Sequence, residues 1–308
     1  MDILVDKDLA GITVREYLTR RLGYSSAMIK KLKFSEGGIL VNGSFVTVRY
    51  EMKEGDVLTL GVEDRESDVS PYTIPVDIPI EVIYEDEYIT AVNKPAGMPA
   101  HPSHGHRDDT VSNALAYRYR GKNYVFRPVN RLDRDTSGCM LTSNTRDASY
   151  KMYRAMTEGK IKKTYLAVAD GVMAEGEGVW DSPIGRSPTS IITRRVDCEG
   201  KPSVTRYRVI ASESEKSLLL VAPETGRTHQ IRVHAAHAGH PLTGDDLYGT
   251  ASPLIGRQAL HCAATAFPHP QTGETVTVTA PLPDDMKELI AGIFPGFDPE
   301  YALKEEKV

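Results

Sequence analysis

The sequence predicts an α+β fold in which a mixed, largely antiparallel sheet follows a small α+β unit. Three observations point there. Strand-like runs dominate from about residue 76 onward, at 81–84, 88–92, 164–168, 217–221 and 275–279. Helical stretches are interspersed at 111–118, 148–158, 230–238 and 284–290, without the regular alternation that a doubly wound parallel sheet requires. A polar, proline-flanked stretch at 63–75 separates all of this from the first 62 residues and reads as a linker.

The elements can be taken in chain order. Residues 13–22 have helical spacing, with Val14, Leu18 and Leu22 on one face. Ser25 or Ser26 can N-cap a second short helix at 27–32. Residues 37–43 read as turn, strand, turn, and 56–60 as a closing strand. Between Arg15 and Lys33 six bases (Arg15, Arg20, Arg21, Lys30, Lys31, Lys33) face one acid, Glu16. Such a cluster is either a solvated helix face or a contact for a polyanion. Residues 76–300 form the main domain, and 301–308 a charged tail.

Bulk properties bound the function. At 308 residues, with 40% hydrophobic and 26% charged residues, the chain has the composition of an ordinary globular protein. A formal net charge of −5 argues against a strongly basic, nonspecific nucleic-acid coat, so any RNA or DNA contact must come from local patches. The cysteines Cys139, Cys198 and Cys262 form no CxxC pair and are expected as small buried hydrophobes in a reducing compartment. No apolar run follows Met1, and no window approaches the roughly 18 apolar residues of a membrane span. A cytoplasmic location and no membrane partner are expected. With no exposed apolar repeat to suggest an interface, a monomer is the default.

Two segments carry the chemistry. Arg131-Leu132-Asp133-Arg134-Asp135-Thr136-Ser137-Gly138 sets a carboxylate between guanidiniums on a tight turn, with Gly138 expected at positive φ. Thr225-Gly226-Arg227-Thr228-His229-Gln230-Ile231-Arg232-Val233-His234 is polar enough to be out of place in a core. An aspartate held ionised by arginine suits covalent or base chemistry on an electrophilic carbon, and arginines suit a phosphate-bearing substrate. In an extended segment Asp135 would point to the same side as Asp133, as a two-carboxylate glycosidase needs. A metallohydrolase is a further alternative, through His101, His104, His106 and Asp108 or through His229, His234, His237 and His240. The first run lies beside Pro102 and Gly105 in a plain loop. The second cannot bring all four imidazoles to one helix face.

These segments, with Glu85-Asp86, Asn93-Lys94-Pro95-Ala96-Gly97, Lys163-Thr164-Tyr165, Gly239-His240-Pro241-Leu242-Thr243-Gly244-Asp245, Tyr248-Gly249, Leu260-His261 and Phe267-Pro268-His269-Pro270, resemble the RluA/RluD-type pseudouridine synthases in the same order. Residues 1–62 resemble the S4 RNA-binding module. Asn130 departs from the pattern, since the family commonly has histidine there. Asparagine keeps the hydrogen bonds of a turn but cannot carry a proton charge, so it reads as a packing variant.

The resemblance implies a synthase-type catalytic sheet and a reaction in which the C1′–N1 bond of a uridine breaks, the uracil turns, and C5 joins C1′. This isomerisation is redox-neutral and implies no cofactor and no metal. Asp133 is implied as the essential carboxylate, acting on sugar or base as nucleophile or on a sugar proton as base. Arg232 is implied as its partner, keeping it ionised. Tyr165 is implied as a stacking surface that helps remove the C5 proton, and Leu260 as an apolar wall. Arg131, Arg227, His229 and Gln230 are implied in substrate binding, and Arg20, Arg21, Lys30, Lys31 and Lys33 in RNA binding by the N-terminal unit. RNA is the implied partner, with large-subunit ribosomal RNA ahead of transfer RNA. A noncatalytic RNA-binding or ribosome-assembly protein is the other reading. The base must leave its stack to be reached, so loops or opened helices are the expected targets.

Overall fold

The computed structural model describes residues 1–298 except Glu36, Glu63, Arg65, Glu66, Ser67, Tyr72 and Glu175. Much of the expected linker and the tail 301–308 therefore lie outside the described residues.

The N-terminal unit contains β1 (Asp2–Leu4), α1 (Val14–Glu16), α2 (Ser26–Phe34), β2 (Ile39–Val41), β3 (Ser44–Phe45) and β4 (Val57–Leu60). Its strands form an antiparallel sheet in the order β1-β4-β2-β3, over a core that includes Val14, Leu18, Ile29, Leu32 and Leu58. The Thr13 hydroxyl accepts the Glu16 N–H (3.2 Å), and the Glu16 carboxylate accepts the Thr13 N–H (3.1 Å), a capping box. Ser25 caps α2. The helix expected over 13–22 is a single α turn followed by a π-helical turn, Tyr17–Arg21. Gly23 takes a left-handed conformation (φ 70°), and the Tyr24 N–H then reaches back to the Leu18 carbonyl (2.8 Å). This closure is one residue wider than the usual glycine C-cap, and it keeps Tyr17, Leu18 and Tyr24 all buried.

The main domain runs β5 (Glu81–Glu85), β6 (Ile89–Lys94), α3 (Val111–Arg118), β7 (Ser137–Ser143), α4 (Arg146–Thr157), β8 (Lys162–Asp170), β9 (Gly176–Asp181), β10 (Ile184–Arg186), β11 (Arg194–Val196), β12 (Val204–Glu213), β13 (Lys216–Pro223), α5 (Gln230–His237), β14 (Leu260–Pro268), β15 (Thr275–Thr279) and α6 (Asp284–Ile293). Nine strands form one sheet in the order β5-β6-β7-β14-β8-β13-β12-β9, with β15 also paired to β14. Every pairing is antiparallel except β7 with β14, which agrees with the expected mixed, largely antiparallel α+β class.

One edge of β14 is shared. Its first residues, His261 and Cys262, pair with Ser137 and Gly138 of β7, and Ala264–Pro268 pair with β15. The chain segment that enters β7, residues 131–136, therefore emerges beside the start of β14 and next to β8. Gly138 is required at this junction. It sits at φ 112°, and a Cβ there would lie 2.2 Å from the Cys262 carbonyl oxygen.

The units touch directly. The Tyr24 hydroxyl donates to Asp147 on α4 (2.6 Å), and its ring meets Tyr150 edge-on (centroids 5.5 Å). Asp64 and Asp68, expected in a plain linker, ion-pair with Arg127 and Arg146 of the main domain. Cys198 is exposed, contrary to the expectation for all the cysteines, because it lies in the turn after β11 rather than in the sheet that buries Cys139 and Cys262. Among the described residues no helix is long and apolar enough to cross a membrane.

Candidate active site

The loop 130–137 is held at almost every residue. Buried Asn130 donates to the Cys139 carbonyl (3.2 Å) and accepts the Leu141 N–H (2.7 Å), tying the loop to β7 without an ionisable group. The Lys94 ammonium is fully buried and donates to the carbonyls of Pro95, Met98 and Arg134, each at 2.8 Å. Burial pushes that ammonium down to about 7, against the pull of Asp135 and Asp133. Arg257 donates to the Asp135 carbonyl (3.1 Å) while its fork grips Asp285 (2.7 and 3.0 Å). Gln258 donates to the Thr136 hydroxyl (3.2 Å). The Ser137 hydroxyl meets His261 Nδ1 (2.9 Å), whose Nε2 faces the Ala280 carbonyl (3.2 Å). Burial lowers the His261 pKa to about 4, so this imidazole is neutral and serves as a brace.

So fixed, the loop presents the Asp133 carboxylate to a cleft of about 550 Å³. Arg131, Tyr165, Arg227, His229, Arg232 and Leu260 line the same cleft. Asp133 Oδ2 lies 3.7 Å from Arg232 Nη1, and Oδ1 lies 3.9 Å from His229 Nε2. Asp135 does not join it. The chain turns at 134–135, and the Asp135 carboxylate folds onto the neighbouring Arg134 guanidinium (3.0 and 2.9 Å). The extended geometry that would have set two carboxylates side by side is absent from this loop.

Arg232 is tethered from behind. Its Nε and Nη2 grip the Asp245 carboxylate at 2.7 and 2.8 Å, and Asp245 is fully buried. Burial opposes the Arg232 charge, but the Asp245 bonds and the Asp133 field outweigh it and raise the pKa. This bidentate grip spends one edge of the guanidinium and leaves Nη1 for Asp133. Arg232 also lies over the Tyr248 ring, 5.1 Å from its centroid.

His229 completes the arrangement from an unusual backbone position. It is left-handed (φ 57°, ψ 21°) at the start of α5, a conformation that non-glycine residues seldom adopt. Its Nδ1 lies 2.7 Å from the Tyr248 hydroxyl, and that hydroxyl accepts the Arg194 N–H (2.9 Å). A Tyr248 proton donated to Nδ1 leaves the imidazole proton on Nε2, which faces Asp133. Burial lowers the His229 pKa, and the Asp133 charge opposes this.

The remaining residues separate into wall and scaffold. Tyr165 on β8 is buried, and burial holds its phenol well above the usual tyrosine range. It lines the cleft from β8. Leu260 opens β14 and is buried beside it. Arg131 and Arg227 are exposed at the rim. Gln230 has no free polar atom. Its Oε1 accepts from Thr225 and the Arg227 N–H, and its Nε2 donates to Val204 and Thr205. It holds the 225–230 loop against β12. The expectation that this segment is too polar for a core is also corrected, because Gln230, Arg232 and His234 are buried with every charge and amide satisfied.

The histidines of the metal alternative are dispersed. His101 packs on Phe126 (5.0 Å), His106 bonds Asp109, His234 bonds Thr205 and Ser182, and His240 bonds the Asp170 carbonyl. Among the described residues no group of three or more His, Cys, Asp or Glu side chains is arranged to hold a metal ion.

Known proteins resemble this chain. The model of the RNA pseudouridylate synthase family matches residues 88–237, which include Asp133, Tyr165 and Arg232. The ribosomal large subunit pseudouridine synthase D of Vibrio cholerae is 38% identical over 271 residues, 82% of each chain. The chain belongs to the RluA/RluD-type family of RNA pseudouridine synthases. An uncharacterized RNA pseudouridine synthase of Bacillus subtilis, YjbO, is 42% identical over 283 residues, covering 91% of this chain and 99% of that one. The solved structure of human RNA pseudouridylate synthase domain containing 1 superposes with a TM-score of 0.61 at 28% identity, covering 74% of this chain and 94% of that chain. As a pseudouridine synthase, the chain is an isomerase acting on RNA.

Sequence reasoning quoted Lys94, Asp245 and Tyr248 inside motifs without giving them work, and passed over Arg257 and Gln258. The signal available was charge: a lysine in a strand-end Asn-Lys-Pro, and an aspartate in a Gly-Asp turn, each need a partner when buried.

Proposed function

We propose that the chain isomerises uridine to pseudouridine in large-subunit ribosomal RNA, with Asp133 as the essential carboxylate. The observation that carries this reading is the position of Asp133, alone among the described carboxylates in lining the cleft, between Arg232 Nη1 at 3.7 Å and His229 Nε2 at 3.9 Å. Addition to the sugar, addition to the base and removal of a sugar proton all need an ionised carboxylate, and the Arg232 guanidinium faces Asp133 as the partner of one. The target uracil stacks against Tyr165, with Leu260 excluding water from the cleaved sugar. Arg131 and Arg227 at the rim hold the flanking phosphates. Relatives named for the ribosomal large subunit favour that RNA over transfer RNA. The work is placed in the cytoplasm, where ribosomes assemble.

The test is pseudouridine mapping of total RNA from cells lacking the protein, complemented with wild type or Asp133→Asn. Sites that vanish and return only with wild type establish the reaction and name the uridine. Loss confined to transfer RNA would overturn the ribosomal assignment. No change at any site would favour the noncatalytic RNA-binding reading.

The N-terminal unit supplies a second grip in this proposal. Arg20, Arg21, Lys30, Lys31 and Lys33 are exposed on consecutive helical segments, and the Lys33 ammonium lies 5.7 Å from the centroid of the exposed Phe34 ring. Replacing Lys30, Lys31 and Lys33 with glutamine should weaken RNA binding and lower the slope of log affinity against log salt by up to roughly 2. The rate on bound RNA should not change. Filter-binding titrations across a salt series check this, and an unaltered slope removes the unit from the RNA contact.

A further inference from the structure

One cation in the cleft has no assigned work. Lys163 lies on β8 two residues before Tyr165, so the side chains share a face of the strand, and both line the cleft with Leu260. Opposite them across β14 stand Thr265 and Cys262. Among the described residues the Lys163 ammonium makes no hydrogen bond and no ion pair. This sets it apart from its neighbours: Arg232 is gripped by Asp245, Lys94 by three carbonyls, and Arg257 by Asp285. Lys163 is half-buried, whereas the rim arginines Arg131 and Arg227 are exposed. A cation drawn partly out of water without a partner loses hydration, and here burial lowers its pKa. An anion arriving opposite it would remove that cost.

We propose that Lys163 is a catalytic residue that donates a hydrogen bond to a carbonyl oxygen of the target pyrimidine and stabilises the negative charge which develops there. The inference rests on the pseudouridine reading and deepens it. When the C1′–N1 bond breaks, its electron pair stays with the pyrimidine, and the charge spreads over N1, O2 and O4. Addition of a carboxylate at C6 would place charge on O4 as well. The ammonium thus helps whichever role Asp133 plays. C5 then bonds C1′, the C5 proton leaves, and N1 gains a proton, so no atom is lost overall. Lys163 keeps its own protons throughout. A backbone phosphate is the other anion available, but the exposed rim arginines suit phosphate, and Lys163 sits beside the Tyr165 ring on which the base stacks.

The experiment compares single-turnover consumption of the target nucleoside by the full chain in RNA carrying uridine or 5-fluorouridine at that site. Fluorine withdraws electron density, so the pyrimidine needs less help with its charge. Lys163→Met should slow the uridine reaction about a hundredfold, the scale of a lost charge-stabilising donor, with RNA affinity nearly unchanged. The deficit should be several-fold smaller with 5-fluorouridine, and Lys163→Arg should recover most of the uridine rate. Equal deficits with the two pyrimidines would overturn the proposal, as would a loss seen only in RNA affinity, which would make Lys163 a phosphate contact. Retained affinity shows that the variant is folded. Failure of wild type to form pseudouridine would overturn the reading of function itself, and the Lys163 role with it.

Discussion

Asp133→Asn should lower single-turnover pseudouridine formation at least about a thousandfold while leaving RNA affinity close to wild type. The substitution keeps the shape of the side chain and its place on the turn, where the Thr136 N–H bonds the Asp133 carbonyl (3.1 Å). It removes the charge that faces Arg232 and His229. No other carboxylate can take over, since Asp135 is turned onto Arg134 and Asp245 is spent behind Arg232. The loop should hold its conformation, because its anchors, Lys94, Arg257, Gln258 and His261, do not involve the Asp133 side chain. Thermal unfolding should therefore shift little. The measurement is product formation with purified enzyme in excess over RNA, beside a binding titration. Activity above about a hundredth of wild type would show that Asp133 is not the required carboxylate.

Much of the fold was legible because the strands read from sequence bury both faces or pair with neighbours nearby in sequence. β15 matches its expected bounds, 275–279, and β8 and β13 extend theirs by a few residues. β14 was quoted only as a motif. Its residues, Leu-His-Cys-Ala-Ala-Thr-Ala-Phe-Pro, have weak strand preference, and they are extended because β7, β8 and β15 flank them on both edges. β12 was hidden by Arg206 and Arg208, which alternate with the inward Thr205, Tyr207 and Val209 on a strand near the sheet edge. In the site, the local features were readable: the tight turn, positive φ at Gly138, and the helix that carries Arg232. What was not readable was distant pairing. Lys94 meets Arg134, and Arg257 meets Asp135, across long stretches of chain that only the sheet brings together. The same holds for Asp245, whose partner had been expected to belong to Asp133 alone.

That shared partner makes the second prediction. Arg232→Lys should abolish most activity even though the charge is kept, and Arg232→Met should also destabilise the fold by about 3–5 kcal/mol. The guanidinium serves two carboxylates at once. Nε and Nη2 are fixed by Asp245, and the geometry of that fork aims Nη1 at Asp133. A lysine ammonium is a single point at the end of a flexible stem. Drawn to the fully buried Asp245, it leaves Asp133 without its partner; drawn to Asp133, it leaves a buried carboxylate bare. The first arrangement costs less, because Asp245 has no solvent to fall back on and Asp133 is 27% exposed in its side chain. The lysine variant should therefore unfold near wild type and still turn over poorly, and the methionine variant should lose both stability and activity. Thermal unfolding and single-turnover rates, taken well below the transition, separate these outcomes. If the activity of Arg232→Lys follows its folded fraction, Arg232 only supports the fold, and the alignment of Nη1 with Asp133 carries no catalytic weight.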